Sequence, residues 1–339
     1  MRFIDRLVAA WYAPHLTVGT LLLVPLASLF AAIVALRRYA YHRCWLAAQR
    51  VGVPLIVVGN ITVGGSGKTP LVIALARELA GRGWRPGIVS RGYGGAASGT
   101  PRRVPIDGDP AAFGDEPALL ARRGLDVVVA RDRVAAARAL LVLQPDCDLI
   151  IADDGLQHYR LARDVEIAVV DAVRGLGNGW LLPAGPLREP PSRLSSVDAV
   201  VVTQVDSGGV AAAGLGMLAM TLVPGSPVRV NDATVTAPLA SFAGQRVHAV
   251  AGIGDPKRFF AQLRSLSIDP IEHPFPDHHR YTATDLAFPD AAPILMTEKD
   301  AVKCTTFADG RSWYLPIEAR LAPALVPHIE EKLRGPQAA

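Results

Sequence analysis

From residue 54 onward, short apolar runs alternate with longer segments of helical period. The runs at 55–58, 87–90, 127–130, 149–152, 167–170 and 200–203 are rich in Val, Ile, Leu and Ala. Such unbroken runs predict strands buried on both faces. The segments 69–82, 116–123, 133–143 and 211–217 predict helices. Together they give the pattern of a mostly parallel sheet with crossover helices. The stretch 206–214, with Ser207 and three glycines, predicts a connector. A second, smaller α/β unit begins near Leu222. Its predicted strands lie at 247–251 and 294–296, and its helices at 256–265 and 322–333. The Gly- and Pro-rich stretch 96–110 predicts a loop that folds over the active site or stays mobile.

The start of the chain follows neither pattern. Between Leu7 and Leu36 there is no Asp, Glu, Lys or Arg, and 16–36 is long enough to cross a bilayer as a helix. Arg37, Arg38, His42 and Arg43 follow at once, which predicts a cytoplasmic C-terminal side. Trp11 and Tyr12 at one end, with Tyr39, Tyr41 and Trp45 at the other, suit the two membrane interfaces, and Pro25 predicts a kink. A cleaved leader is the competing reading. The expected organisation is thus a membrane-anchoring helix at 1–40, a core domain at 41–210 and a smaller α/β domain at 211–339.

Composition changes this picture little. Half of the 339 residues are hydrophobic and 19% are charged, and much of the apolar excess sits in the first segment. A net charge of +4, with no basic stripe interleaved with aromatics, argues against nucleic acid as a partner. Cys44, Cys147 and Cys304 are far apart and odd in number. They offer neither metal spacing nor a disulfide framework, so a reducing cytoplasm is expected.

The chemistry is concentrated where the first strand ends. Gly59-Asn60-Ile61-Thr62-Val63-Gly64-Gly65-Ser66-Gly67-Lys68-Thr69-Pro70 joins the 55–58 strand to the 69–82 helix, the context of a phosphate-binding loop. Gly64, Gly65 and Gly67 let consecutive backbone N–H groups turn toward a phosphate. The helix N-terminus adds partial positive charge, Lys68 reaches β/γ-phosphates and Thr69 offers a hydroxyl to Mg²⁺. Thr62 stands where the usual spacing has glycine. A nucleoside triphosphate is the predicted ligand, held by Thr62, Gly64, Gly65, Ser66, Gly67, Lys68 and Thr69.

Further polar clusters follow other apolar runs. Asp153-Asp154-Gly155-Leu156-Gln157-His158 ends the 149–152 strand, where phosphate-loop enzymes place Mg²⁺-binding carboxylates. If the strand continues, the two carboxylates point to opposite faces, one to the metal and one to substrate. Ser90-Arg91-Gly92-Tyr93-Gly94-Gly95 leaves the 87–90 strand at the edge where ligands bind, with Arg91 suited to clamp a phosphate. Asp115, in Gly114-Asp115-Glu116-Pro117, reads by spacing alone as a helix N-cap. Pro186-Leu187-Arg188-Glu189-Pro190 is a rigid crossing with a charged pair. Phe275-Pro276-Asp277-His278-His279 sets two histidines beside an aspartate, too few ligands for zinc and better suited to proton transfer. Thr297-Glu298-Lys299-Asp300 ends another strand.

In this order, and with Ala301-Val302-Lys303 completing the last motif, these segments resemble the tetraacyldisaccharide 4'-kinases over nearly the whole chain. The Thr62 departure is shared by that family. The resemblance implies a P-loop NTPase-like α/β fold and ATP- and Mg²⁺-dependent phosphorylation of the 4'-hydroxyl of a tetraacylated glucosamine disaccharide 1-phosphate. The glycolipid product is lipid IVA, formed in lipid A biosynthesis at the cytoplasmic face of an inner membrane. It implies Asp115 as general base, against the spacing-only reading, assisted by a histidine from the second domain on closure. The motif leaves His278 and His279 open, and His278 is the one chosen. Thr69, Asp153 or Asp154, and Glu189 would serve Mg²⁺, while Arg188 and Arg91, with Tyr93, Gln157 and His158, would face substrate or phosphates. The alternative is a membrane-tethered NTPase acting as a switch or assembly factor. It shares the loop and acidic metal site but orients water and needs no carboxylate–histidine pair.

Overall fold

A computed structural model describes residues 3–96, 99–205 and 217–335. The predicted connector at 206–214 and, but for Met217, the predicted helix at 211–217 lie outside the described residues. The chain forms two compact units. One takes in Met1–Arg91, Asp132–Leu222 and Ala319–Ala339, the other Gly92–Arg131 and Val223–Glu318. This grouping differs from the linear one in two places: the 92–131 segment joins the later unit, and the C-terminus returns to the first.

In the first unit, parallel strands lie in the order Leu218–Pro224, Ala199–Val205, Val165–Asp171, Leu55–Gly59, Leu149–Asp153, Pro86–Ser90. Every residue of Leu55–Gly59 and Leu149–Asp153 is buried, as expected for central strands covered on both faces. The helix Lys68–Gly81 presents Leu71, Leu75 and Leu79, one turn apart, and each is fully buried. Burying each such side chain contributes about 1.5–3 kcal/mol. Leu55–Gly59 sits where the order of connections reverses, so the loop after it opens at the switch point where ligands bind in open α/β sheets.

The N-terminal segment departs from its expectation. Instead of one kinked helix over 16–36 there are two, Val18–Leu21 and Val24–His42. Pro25 falls in the first turn of the second helix, where its missing N–H breaks no hydrogen bond, so it starts the helix rather than kinking it. Among the described residues Val24–His42 is the one helix long and apolar enough to cross a membrane. It continues through Arg37 and Arg38. A further helix, Phe3–Trp11, precedes it. Trp11 and Tyr12, expected at a membrane interface, bond to protein instead: Trp11 Nε1 donates to the Pro183 carbonyl (2.9 Å) and Tyr12 Oη to that of Val63 (3.3 Å).

The second unit has its own sheet, ordered Asp269–Pro274, Arg246–Ala251, Ile294–Thr297, Ser312–Leu315, Val228–Arg229, parallel except for the last pair. Alternation along Arg246–Ala251 sends Val247, Ala249 and Ala251 to one face, against Phe259, Phe260 and Leu263 of the helix Pro256–Ser265. Val250 goes to the other, with Met296, Tyr281 and Leu286 and with Ala301 and Cys304 of the helix Glu298–Cys304. That last helix was missed in the sequence, although Thr297 caps it by accepting from the Asp300 N–H. The helix Asp115–Arg122 packs along it. Arg123, just after, bonds Glu298 (2.5 and 2.7 Å) and Glu318 (2.6 Å). In the 96–110 stretch, outside residues 97 and 98, Arg102–Arg103 forms a short strand antiparallel to Val127–Val129.

Candidate active site

In the first unit the glycine loop runs from Leu55–Gly59 into Lys68–Gly81. Gly67 caps the helix at φ 87°, and a Cβ there would come within 2.7 Å of Thr203 Cγ2, so glycine is required on both counts. Thr203 Oγ1 donates to the Ser66 carbonyl (2.7 Å) and pins the loop from the strand Ala199–Val205, two places along the sheet. Gly64 also lies at positive φ, and a Cβ on Gly65 would meet nothing within 4 Å, leaving open space over the loop. The buried Ser66 Oγ has no hydrogen-bond partner among the described residues. A loop with open space and an unused hydroxyl fits a phosphate. Thr62, in place of the usual glycine, forms an antiparallel bridge with Leu187, an extended conformation that β-branched residues favour.

Lys68 is buried, donates to Asn60 Oδ1 (3.2 Å) and lies 3.4 Å from Asp154 Oδ1. Asp154 also meets Arg188 Nη1 at 3.3 Å and gives its carbonyl to Arg133 Nη2 (2.9 Å). Burial pushes the Asp154 carboxyl up, but Lys68, Arg188 and Arg133 outweigh it and hold it below the ordinary carboxylate range. The expectation that Asp153 and Asp154 point to opposite faces of a continuing strand does not hold. The strand ends at Asp153, and Asp154 turns at φ 48°, a conformation aspartate tolerates. Asp153 is fully buried and accepts from Ser90 Oγ at 3.4 Å.

Gln157 Nε2 donates to the Asn60 carbonyl (2.9 Å) and to Glu189 Oε2 (3.1 Å), tying the glycine loop to the Pro186–Glu189 crossing. Glu189 is almost wholly buried; burial raises its pKa despite Gln157 and Arg193, and its Oε1 finds no hydrogen-bond partner. His158 is pulled down to about 4 by burial, with Arg133 adding to the effect against Asp132. It is therefore a neutral ring at pH 7. Arg91 is exposed at the end of Pro86–Ser90. Thr69, Asp153, Asp154 and Glu189 offer only oxygen donors, the hard set that Mg²⁺ prefers, and Glu189 Oε1 is an unused one. No cluster of three His, Cys, Asp or Glu side chains able to hold a metal occurs among the described residues.

In the second unit Asp115 is the first residue of its helix, and Gly114 takes the cap position at φ 94°. A Cβ on Gly114 would lie 2.4 Å from the Tyr93 carbonyl, which excludes other residues. The spacing-only reading of Asp115 as N-cap is thus corrected: its side chain makes no cap bond and instead meets His278 Nδ1 through Oδ2 at 2.9 Å. The pair is not assembled from two domains on closure, as expected. Both residues belong to one unit, because 92–131 packs on the helix Glu298–Cys304, and the contact is already made. His279 turns away to Asp285 (3.3 Å).

His278 sits at φ 60°, in the left-handed region that histidine, like aspartate, visits more often than most residues. The exposed Tyr93 ring stands edge-on to it at 5.7 Å. An ionised carboxylate only accepts, so Nδ1 carries the proton toward Asp115, and Nε2 lies 3.5 Å from Lys299 Nζ. Burial pushes the Asp115 carboxyl up; the His278 bond and the Lys303 and Lys299 charges outweigh it and lower its pKa. Sequence reasoning missed Asn60, Lys299 and Lys303 as members of these centres. Lys299 and Lys303 had a signal, four-residue spacing after a Thr-x-x-Asp helix start.

A family model described as tetraacyldisaccharide-1-P 4'-kinase matches residues 19–334. A protein of Alkalilimnicola ehrlichii named tetraacyldisaccharide 4'-kinase is 54% identical over 310 residues, 91% of either chain. One of the same name from Chromobacterium violaceum is 50% identical, with 98% of either chain covered. Among solved structures, the "apo" form of LpxK from Aquifex aeolicus in complex with ATP is similar with a TM-score of 0.78 and 29% identity, covering 93% of this chain and 99% of that one.

Proposed function

The chain belongs to the tetraacyldisaccharide-1-P 4'-kinase family, and on that footing we propose that it transfers the γ-phosphoryl group of ATP to the 4'-hydroxyl of tetraacyldisaccharide 1-phosphate, yielding lipid IVA. The observation that carries this reading is the match, at half identity or better, along nearly the full length of relatives bearing that name.

In this reading the glycine loop and Lys68 hold the triphosphate, and the Lys68 contacts with Asn60 and Asp154 keep the ammonium at the loop beforehand. Thr69, Asp153 or Asp154, and Glu189 would hold Mg²⁺, which when bound neutralises charge developing on the phosphates. Arg188 and Arg91 face phosphate or substrate, while Gln157 orients Glu189. Neutral His158, with Tyr93, serves the acceptor side. Asp115 accepts the proton of the attacking hydroxyl, and His278, fixed in one tautomer, orients the carboxylate. The helix Val24–His42 lies at the inner membrane, with the active site on its cytoplasmic face, where the acylated acceptor resides.

The test is transfer of labelled phosphate from Mg²⁺-ATP by the purified protein to tetraacyldisaccharide 1-phosphate in detergent. Acceptor-dependent transfer is expected, abolished in Lys68→Ala with the fold retained. ATP consumption indifferent to the glycolipid would favour a switch NTPase and overturn the reading.

A further inference from the structure

We infer that Lys303 is a positioning residue for Asp115: anchored by Asp300, its ammonium holds the carboxylate ionised without occupying the oxygen that the acceptor hydroxyl needs. The inference rests on the reading of Asp115 as general base and adds to it the group that sets the base's charge.

Lys303 lies in the last turn of the helix Glu298–Cys304, the element packed along Asp115–Arg122. Its side chain is only 7% exposed, its Nζ is 2.9 Å from Asp300 Oδ1 and 3.6 Å from Asp115 Oδ2, and the ammonium stands 5.1 Å from the centre of the Tyr281 ring. Asp300 in turn is fully buried. It accepts from the Gly252 N–H (2.9 Å) and from Thr297 Oγ1 (2.6 Å). So rigid a carboxylate leaves Lys303 little freedom. A lysine surrenders considerable side-chain entropy and hydration on burial, so a buried ammonium between two carboxylates is an arrangement that needs both.

The contact with Asp115 is longer than a hydrogen bond. It acts through charge alone. Asp115 Oδ2 is taken by His278, and a lysine bonded directly to Oδ1 would block the hydroxyl; at 3.6 Å from Oδ2 it does not. Other titratable and charged groups around Asp115 come from three elements. The helix Glu298–Cys304 contributes Lys299 as well as Lys303, the 275–281 loop contributes His278 with Asp277 behind it, and Asp115's own helix contributes Glu116. Asp277 is bound to Lys299 at 3.4 Å, which partly cancels that lysine. Lys303 has no such exposed competitor, since its counter-ion Asp300 is turned inward to the Gly252 amide. The depressed pKa of Asp115 agrees with this geometry.

A cation beside a carboxylate favours its charged form, so removing Lys303 raises the Asp115 pKa and moves the acidic limb of the rate profile to higher pH. The experiment is the pH profile of kcat at saturating ATP and acceptor for wild type, Lys303→Met, Lys303→Arg and the double variant Lys303→Met/Asp300→Asn. The double variant removes the uncompensated buried charge that could prevent Lys303→Met from folding. Both methionine variants should move the acidic limb up by about one pH unit or more, leave the ATP KM near wild type, and regain the wild-type limb when arginine restores the charge. A loss of kcat by one factor at every pH, with the limb unmoved, would make Lys303 an ordinary structural ion pair and overturn the inference. Asp115→Asn is measured beside them. Wild-type turnover in that variant would sink the base reading itself, whereas lost turnover there with an unmoved limb in Lys303→Met sinks only the role of Lys303.

Discussion

A carboxylate whose pKa is lowered by its neighbours is a weak proton acceptor, so in the proposed role as general base Asp115 would bring placement more than basicity to phosphoryl transfer. A loose transition state asks little of the base, and alignment then carries most of the effect. General-base groups contribute about 10²–10⁴-fold, and Asp115→Ala and His278→Ala should each lower kcat by roughly that much with little change in ATP KM. On the proposed reading the two act as one unit through their 2.9 Å contact, and the double variant should be scarcely worse than the poorer single one. A double-mutant cycle on kcat decides it, and fully multiplicative losses would mean the residues act independently. His158 gives a separate residue-scale test. Its pKa falls from 6.5 unfolded to about 4 folded, so the unfolded chain binds the proton first. The stability its neutral form contributes is complete above pH 6.5 and is lost as pH falls from there toward 4. His158→Gln should flatten the dependence of Tm on pH across that window, and an unchanged slope would refute the assignment.

Elements behaved according to how much of their reason was local. The buried parallel strands and the helices Arg133–Leu143 and Pro256–Ser265 were legible because an unbroken apolar run or a helical period is written in the segment itself. The strand Leu218–Pro224 and the helix Glu298–Cys304 were not. The strand is only partly buried, and the helix is two turns long, with Lys299 and Lys303 each meeting a carboxylate from another segment. The glycine loop and the acidic strand end were equally legible, whereas the meeting of Asp115 with His278, 163 positions apart, was suggested only by family resemblance. The N-terminal helices show the limit of reading polarity alone. Tyr12 Oη bonds the Val63 carbonyl beside the glycine loop, its ring lies under Arg174, and Trp11 bonds the Pro183 carbonyl. Removal of 1–36 should therefore release the protein from membranes and also raise the ATP KM. The variant Trp11→Phe/Tyr12→Phe should raise KM alone, with sedimentation unchanged. An ATP KM untouched by either change would return this segment to a pure anchor.

At the scale of the whole molecule, the chain crosses between its units more than once, and that has a consequence for how it folds. The second unit needs Gly92–Arg131 as well as Val223–Glu318. The earlier segment supplies the helix Asp115–Arg122 that covers Glu298–Cys304, and half-buried Arg123, which pairs with both Glu298 and Glu318. Without that segment the half-buried Glu298 loses the guanidinium that meets both of its carboxylate oxygens. A fragment comprising 211–339, the domain a linear reading of the chain would isolate, should accordingly fail to unfold cooperatively. A single chain joining 92–131 by a flexible linker to 223–318 should recover a cooperative transition, with His278 again shielded by Asp115. Thermal unfolding followed by circular dichroism, with the histidine ring signals read by NMR, distinguishes the two. If 211–339 alone melts as sharply as the joined chain, the 92–131 segment is a passenger on a self-sufficient fold, and the catalytic pair would owe its geometry to the later segment alone.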